Sequence, residues 1–162
     1  RPEVDNQRQP GPAGAARGPN LRFDVLYLDA SALVKLVLAE PESRALGTES
    51  RRWDEWLSSE IARTEVPRAV VTALTRGGLN RDEIDEGRRR ADALMSRVIM
   101  LDADRRVLVD AARVEPIETR TLDAIHVATV LQVRDEIGAV ATYDHRMAAA
   151  LRQARIEVIS PA

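Results

Sequence analysis

Four acidic side chains occupy positions where metal-dependent chemistry could take place. Asp29 and Asp144 each directly follow a short apolar run, Asp123 lies in the first turn of a predicted helix, and Glu65 lies within another predicted helix. Carboxylates gathered at one place repel one another unless they are protonated or neutralised, and oxygen ligands of this kind suit Mg²⁺ or Mn²⁺. Such ions support the hydrolysis of phosphodiesters. We therefore predict that Asp29, Glu65, Asp123 and Asp144 are the catalytic and metal-binding residues.

Three of these acids also have a purely structural interpretation. A carboxylate in a first helical turn, such as Asp123, complements the helix dipole. Asp29 and Asp144 each stand between a predicted strand and a predicted helix, where aspartate commonly caps the helix. Taken singly, each of the three is therefore a weak indicator of metal binding.

Glu65 carries more information because of its neighbours. It interrupts a predicted inward stripe that includes Ile61 and Ala69, and an unpaired buried carboxylate there would be unfavourable. The side chain should therefore have a cationic partner. An ion pair with Arg68 or Arg63 is the structural alternative to a metal ion.

Alternating strands and helices must position these acids. Apolar runs predict strands ending near residues 28, 59, 101, 143 and 159, and helical spacing predicts helices over about 32–39, 42–50, 61–76, 81–96, 103–114, 121–133 and 145–154. This alternation indicates an α/β protein with three α/β/α layers and a central, mostly parallel sheet. In such sheets ligands collect at the carboxyl ends of the strands, where Asp29 and Asp144 would lie.

Composition agrees with this fold and narrows the chemistry. The 162 residues are 44% hydrophobic and only 3% aromatic, so the core must consist of aliphatic side chains. The absence of cysteine excludes disulfides and thiolate sites, and no glycine-rich phosphate loop follows the first strand, so we expect no nucleotide cofactor. The apolar runs are shorter than the roughly 20 residues that span a bilayer, and we expect a cytoplasmic protein with no membrane partner.

Residues 1–22 differ in composition from the remainder of the chain. They are rich in Pro, Gly, Ala, Gln and Arg and contain few large apolar side chains, so they cannot bury enough surface to fold. We expect a disordered N-terminal extension over residues 1–22 and one folded domain over residues 23–162.

The acidic positions and the residues around them resemble a known family. Leu28-Asp29-Ala30-Ser31-Ala32-Leu33-Val34-Lys35-Leu36, Glu65 on its helix, Thr121-Leu122-Asp123-Ala124-Ile125-His126-Val127-Ala128 and Thr142-Tyr143-Asp144 are similar, in order and spacing, to the motifs of PIN-domain VapC toxins from type II toxin–antitoxin pairs. The resemblance covers about residues 25–161. The set of four motifs is specific, although each motif alone is common.

The resemblance implies a PIN-like, Rossmann-like domain that acts as a metal-dependent endoribonuclease. It implies that the acidic quartet holds Mg²⁺ or Mn²⁺, that the substrate is RNA, and that a cognate VapB-like antitoxin inhibits the enzyme. It also implies a homodimer, for which the apolar helices between Leu33 and Leu46 offer a surface. The formal net charge of −2 opposes nonspecific RNA binding, so contacts with RNA should be confined to local arginine patches.

Five further residues near the acids are polar or basic and could assist them. Ser31 and Thr142 match hydroxyl positions of the family and are expected to support a ligand or water, although Ser31 could equally cap a helix. Arg120 and Arg146 flank the acids and are candidates for RNA phosphate contact, with a solvated surface position as the alternative. His126 shares a helix face with Asp123, but a packed histidine that donates to a backbone carbonyl is the preferred interpretation.

Two other functions compete with the ribonuclease. A haloacid-dehalogenase-like phosphatase also places an aspartate after its first strand, but it needs a second aspartate two positions later, where this chain has Ser31. A PIN-fold binding module with negligible catalysis would share the fold, yet it would have no physical need for four clustered charges.

Overall fold

The computed structural model describes residues 24–162, and the expected extension over residues 1–22 lies outside them. Its centre is a sheet of five parallel strands in the order β3-β2-β1-β4-β5. The strands are β1 (Val25–Leu28), β2 (Glu55–Ser59), β3 (Ile99–Leu101), β4 (Ala139–Ala141) and β5 (Val158–Ile159). From β1 the chain builds the sheet outward through β2 and β3, and then crosses to β4 on the other side of β1. The strand order therefore reverses between β1 and β4.

Seven helices cover the described part of the sheet. They are α1 (Ala30–Val37), α2 (Ser43–Ser50), α3 (Ala62–Arg76), α4 (Arg81–Met95), α5 (Arg105–Ala111), α6 (Thr121–Gln132) and α7 (His145–Gln153). One apolar core joins the sheet to α1–α4, a second joins it to α6 and α7, and a small third core joins α5 to α6. The three-layer α/β/α architecture is thus confirmed, with the helices and strands at the predicted places.

Strand β1 shows why the sheet is buried on both faces. Leu26 and Leu28 belong to the core beneath α1–α4, whereas Tyr27 points to the opposite core beneath α6 and α7. Side chains alternate between the faces of a strand, and all three of these residues are fully buried. β1 is therefore the central strand, and its carboxyl end lies where the two helical layers meet.

The sequence-based prediction of the buried face of α3 was wrong. In α3 the buried stripe is Ala62, Val66 and Val70, one residue out of phase with the predicted stripe, and Ala69 is exposed. The β-branched valines fill the core better than alanine does, and this rotation leaves Glu65 at the edge of the helix, where it is half-buried.

The helices between Leu33 and Leu46 were also expected to offer a dimer surface. The side chains of Leu33 and Leu46 are fully buried in the core of this one chain, so a dimer contact on these helices would use other residues of α1 and α2. Exposed large apolar side chains occur elsewhere, at Ile99, Leu108, Val109, Ile117 and Leu122.

Candidate active site

Asp29 and Asp144 lie at the carboxyl ends of the adjacent strands β1 and β4, as the sequence predicted. The side chain of Asp29 caps α1 by accepting a hydrogen bond from the amide of Ala32, at 2.9 Å. Oδ1 of Asp144 caps α7 by accepting from the amides of Arg146 and Met147, at 2.8 and 2.9 Å. The capping interpretation is therefore correct for both acids, and it is compatible with metal binding, since each capping carboxylate has a second oxygen. Their place is the reversal of strand order, where sheets of this type bind ligands.

Asp29 is the most buried acid of the site, with 3% of its surface exposed. Burial raises the pKa of this carboxyl group, and hydrogen bonds from the Ala32 amide and from the hydroxyls of Ser31 and Thr142 oppose that rise. Ser31 Oγ lies 2.7 and 2.9 Å from the two carboxylate oxygens, and Thr142 Oγ1 lies 2.7 Å from Oδ2. Asp29 is thus held in one orientation.

The same two hydroxyls join the loops at the ends of β1 and β4. Ser31 Oγ accepts a hydrogen bond from the amide of Tyr143 at 2.8 Å, and Thr142 Oγ1 accepts from the amide of Asp144 at 3.1 Å. Each hydroxyl therefore donates to Asp29 and accepts from the β4–α7 turn. The alternative that Ser31 caps α1 was wrong, because Asp29 is the N-cap residue.

Asp123 is the acid whose surroundings most clearly call for a nearby positive charge. It lies in the first turn of α6, and its Oδ2 atom is buried without a hydrogen-bond partner among the described residues. Burial and the nearby carboxylates of Asp144 and Asp29 raise the pKa of Asp123 to about 6. Opposing positive charge would remove both causes of this shift, so the three aspartates fit a bound cation.

Glu65 enters the site from α3, in the opposite helical layer from Asp123. Its Oε2 atom lies 2.9 Å from Nε2 of His126, whose Nδ1 atom lies 2.7 Å from the hydroxyl of Tyr27. Neither expected arginine pairs with Glu65, since Arg63 instead contacts Glu60. His126 also differs from expectation, because it bonds two side chains and no backbone carbonyl.

The described acids are near one another, but they do not form a ready-made metal site. Within residues 24–162, no group of three or more acidic or histidine side chains is arranged to hold an ion. Asp144 Oδ1 is occupied by the amides of α7, and Glu65 Oε2 is occupied by His126. Like charges repel, so gathering these carboxylates around one site requires a cation to compensate the repulsion.

The two candidate RNA-binding arginines are exposed at the margin of this site. Arg120 precedes α6 and is near enough to Asp123 to oppose the rise in its pKa, which burial and neighbouring carboxylates cause. Arg146 lies in the first turn of α7 beside Asp144. Both side chains are therefore exposed and belong to residues within three positions of an acid of the site.

A groove of about 750 Å³ runs beside the acids, between α1 and α3. Ser31 and Glu65 line it together with mostly apolar side chains, including Val34, Ile61 and Leu122. Lys35 also lines it; Lys35 Nζ lies 2.5 Å from Glu40 and 2.8 Å from Glu42, and 4.7 Å from the centre of the Tyr143 ring. Asp29, Asp123 and Asp144 lie outside the lining, so the groove adjoins the acids and does not enclose them.

Sequence reasoning missed the parts of the site that depend on long-range pairing. Tyr27 is separated from His126 by 99 residues, and Glu65 is separated from His126 by 61. One signal was available: Tyr27 is a polar aromatic residue inside a strand that must be buried on both faces, and such a hydroxyl needs a partner.

Comparison with known proteins adds sequence and structural relatives. The family model described as PIN domain matches residues 26–152. Ribonuclease VapC46 of Mycobacterium tuberculosis (strain ATCC 25618 / H37Rv) is 38% identical over 136 residues, which cover 84% of this chain and 97% of the relative. Ribonuclease VapC47 of Mycobacterium tuberculosis (strain CDC 1551 / Oshkosh) is 31% identical over 141 residues, covering 85% and 97% of the two chains.

A solved structure shares the fold. VapBC2 from Rickettsia felis, solved bound to a DNA fragment from their promoter, aligns with a TM-score of 0.62 at 10% identity, over 85% of this chain and 99% of the other. At that identity the likeness supports the fold alone.

Proposed function

This chain belongs to the PIN-domain family, and from that membership we propose that it is a metal-dependent endoribonuclease that acts as the toxin of a type II toxin–antitoxin pair. The ribonuclease names of relatives that align along nearly their whole length support the reaction class. The proposed ion is Mg²⁺ or Mn²⁺, since the candidate ligands are carboxylate oxygens and the sequence has no cysteine.

The observation that carries the proposal is the environment of Asp123. A buried carboxylate oxygen without a partner, beside two other aspartates, is unfavourable unless a cation is bound nearby. Without a bound cation, neutral side chains at these positions would make the folded protein more stable than the cluster of aspartates does. We therefore assign metal binding to Asp29, Glu65, Asp123 and Asp144.

Each residue of the site has a distinct role in this proposal. Asp29 is fixed by Ser31 and Thr142, so it presents its carboxylate without rotational freedom. Asp123 contributes the free oxygen, and Asp144 contributes the oxygen that does not cap α7. The bound cation would compensate charge on the phosphodiester in the transition state and activate water for in-line attack.

The exposed arginines complete the substrate-binding part of the proposal. Arg120 directly precedes α6, which carries Asp123, and Arg146 lies in the first turn of α7 beside Asp144; both side chains are exposed. Guanidinium groups bind phosphate oxygens through paired N–H donors. We assign them to the RNA phosphates that flank the bond to be cut.

The proposed partners are an RNA substrate, a VapB-like antitoxin and a second copy of this chain. The antitoxin assignment is supported by the VapC names of the relatives. Every helix described in residues 24–162 is too short or too polar to cross a bilayer. The proposal places the reaction in the cytoplasm, and light scattering that gave a monomer at working concentration would remove the homodimer from it.

The proposal is tested by incubating purified protein with a mixed RNA pool in Mg²⁺, Mn²⁺ or EDTA. Asp29→Asn and Asp123→Asn are the informative variants, because asparagine preserves helix capping by residue 29 and removes the charge. We expect metal-dependent cleavage that both substitutions abolish. Cleavage indifferent to EDTA and to both substitutions would indicate a contaminant and favour a PIN-fold binding module. Covalent labelling of Asp29 by a phosphate mimic would instead favour a phosphatase.

A further inference from the structure

A chain of three polar side chains runs through the interior of the protein to the acidic site. The Tyr27 hydroxyl on β1, the His126 ring on α6 and the Glu65 carboxylate on α3 are joined by hydrogen bonds of 2.7 and 2.9 Å. Tyr27 is fully buried and His126 is 2% exposed, while the Glu65 side chain is 20% exposed and lines the groove. These three hydrogen-bonded side chains therefore connect the sheet with both helical layers near the carboxyl ends of the strands.

The partners at the two ends specify one protonation pattern for His126. An ionised Glu65 has acceptors only, so Nε2 of His126 must carry the proton that lies between them. The Tyr27 hydroxyl is fully buried and lies 2.7 Å from Nδ1 of His126, so it can donate its proton to that nitrogen. Nδ1 of His126 is the acceptor at hydrogen-bonding distance for that proton. Both hydrogen bonds are thus satisfied when Nε2 carries a proton and Nδ1 does not.

Packing alone does not explain a tyrosine at this position. The rings of Tyr27 and His126 meet edge to face, with 5.9 Å between their centroids, and phenylalanine would fill the same space. A hydroxyl buried without a partner would be unfavourable, so its presence implies that its hydrogen bond has a use. That use is to keep Nδ1 unprotonated and Nε2 available as a donor to Glu65.

We propose that Tyr27 and His126 are positioning residues of the metal centre, which hold Glu65 by one oxygen and present its other oxygen toward the aspartates. This inference rests on the proposed function. Glu65 needs such support more than Asp29 and Asp144 do, because it lies on the edge of α3 and caps no helix. Asp29 and Asp144, by contrast, are already fixed by the amides that they accept from.

The hydrogen-bond pattern is tested directly by NMR. The chain has two histidines, so long-range ¹H–¹⁵N correlation on ¹⁵N-labelled protein gives two sets of ring signals, and the set lost in His126→Gln belongs to His126. We expect a protonated Nε2 and an unprotonated Nδ1 in the wild-type protein, both in EDTA and in Mg²⁺. In Tyr27→Phe the preference for this tautomer should be lost. A wild-type ring protonated on Nδ1 would overturn the proposal.

The effect on the metal centre is tested by Mn²⁺ affinity, measured from the electron paramagnetic resonance signal of free Mn²⁺. Residues that support metal ligands typically change affinity by about 10- to 100-fold when they are replaced. We expect a loss in that range for His126→Leu, and a loss near its lower end for Tyr27→Phe. His126→Gln, which can keep an N–H donor toward Glu65, should recover part of the affinity.

Tyr143→Phe is the matched control. It removes the only other tyrosine hydroxyl of the chain, which donates to the carbonyl of Pro161 and not to an acid. Its Mn²⁺ affinity should equal that of the wild type. Urea unfolding of every variant in EDTA separates positioning from stability, because a merely structural role would lower stability without changing Mn²⁺ affinity in the folded protein.

The outcomes distinguish this inference from the function on which it rests. If the wild type binds Mn²⁺ and cleaves RNA, and Tyr27→Phe and His126→Leu bind Mn²⁺ equally well, the positioning role is wrong and the nuclease stands. If the wild type neither binds Mn²⁺ nor cleaves RNA, the proposed function fails whatever the histidine signals show.

Discussion

At the scale of single residues, the close placement of the acids lowers the stability of the folded protein, and Asp123 shows this most clearly. Asp123 has a folded-state pKa of about 6, raised first by burial and then by Asp144 and Asp29, against an ordinary value of 3.8. Below about pH 4 the group is protonated in both the folded and the unfolded chain. Between about pH 4 and pH 6 the unfolded chain ionises while the folded protein stays largely protonated, so the folded protein loses stability as the pH rises through this range, and the loss is complete above it.

Asp123→Asn should consequently stabilise the protein in EDTA at pH 7.5. The full shift corresponds to about 3 kcal/mol, and because the residue is only about half buried, solvent screening reduces our expectation to about 1 kcal/mol. Urea unfolding at pH 7.5 and pH 4 measures the effect, which should vanish at pH 4. The exposed Asp102→Asn serves as the charge-matched control. An equal effect on the free energy of unfolding at both pH values would show that the charge of Asp123 does not destabilise the folded protein.

Thr142 should matter more than its size suggests. Its buried hydroxyl donates to Asp29 and accepts from the amide of Asp144, so Thr142→Val removes one hydrogen bond from Asp29 and leaves the Asp144 amide without this partner. We expect a loss of about 1–3 kcal/mol in the free energy of unfolding and at least a tenfold loss of RNA cleavage. Thr142→Ser, which keeps the hydroxyl, should retain most of both. Full cleavage by Thr142→Val would remove Thr142 from the supporting residues.

At the scale of helices and strands, two of the acids serve both structure and chemistry. Asp144 caps α7 through Oδ1 and is proposed to use its other oxygen for metal. Asp144→Asn preserves the cap, so it should abolish cleavage with little change in stability. Asp144→Ala should abolish cleavage and also lower the free energy of unfolding by about 1 kcal/mol. Thermal unfolding of the two variants checks this, and equal melting temperatures would exclude a capping role.

The positions of these acids were predictable because strand ends and helix starts leave local signals. An apolar run followed by aspartate and a helical pattern places Asp29 and Asp144 at the carboxyl edge of a parallel sheet, whatever their separation in sequence. Their adjacency depends on the strand order β2-β1-β4, which the sequence pattern does not state. The resemblance to the PIN-domain family provided that part of the prediction.

The phase of α3 and the partners of Glu65 could not be predicted in the same way. The predicted stripe gave alanine and isoleucine the role that Val66 and Val70 fill, and helical periodicity cannot decide between stripes that are one residue apart. The hydrogen bond between His126 and Glu65 joins opposite layers of the fold. Such contacts depend on how the whole chain packs, so local sequence patterns cannot predict them.

At the scale of the whole molecule, charge sets the conditions under which RNA can bind. The formal net charge is −2, so affinity must come from local positive charge and must be sensitive to salt. Many arginines are already engaged: on α4, Arg88 contacts Asp85, and Arg89 contacts Glu86. Exposed arginines beside the acids are therefore the better candidates for phosphate contact than the arginine-rich helix.

Replacing Arg120 and Arg146 together by glutamine should weaken RNA binding and lower its salt dependence. Each phosphate contact to single-stranded RNA contributes about 0.7 to the slope of log affinity against log salt concentration, so losing both should reduce the slope by about 1.4. Binding is measured by fluorescence anisotropy over a series of salt concentrations, in an Asp29→Asn background that prevents cleavage. Arg88→Gln with Arg89→Gln removes the same charge from α4 and should leave the slope unchanged. An equal reduction in both double variants would mean that RNA responds to total charge and that Arg120 and Arg146 make no contact of their own.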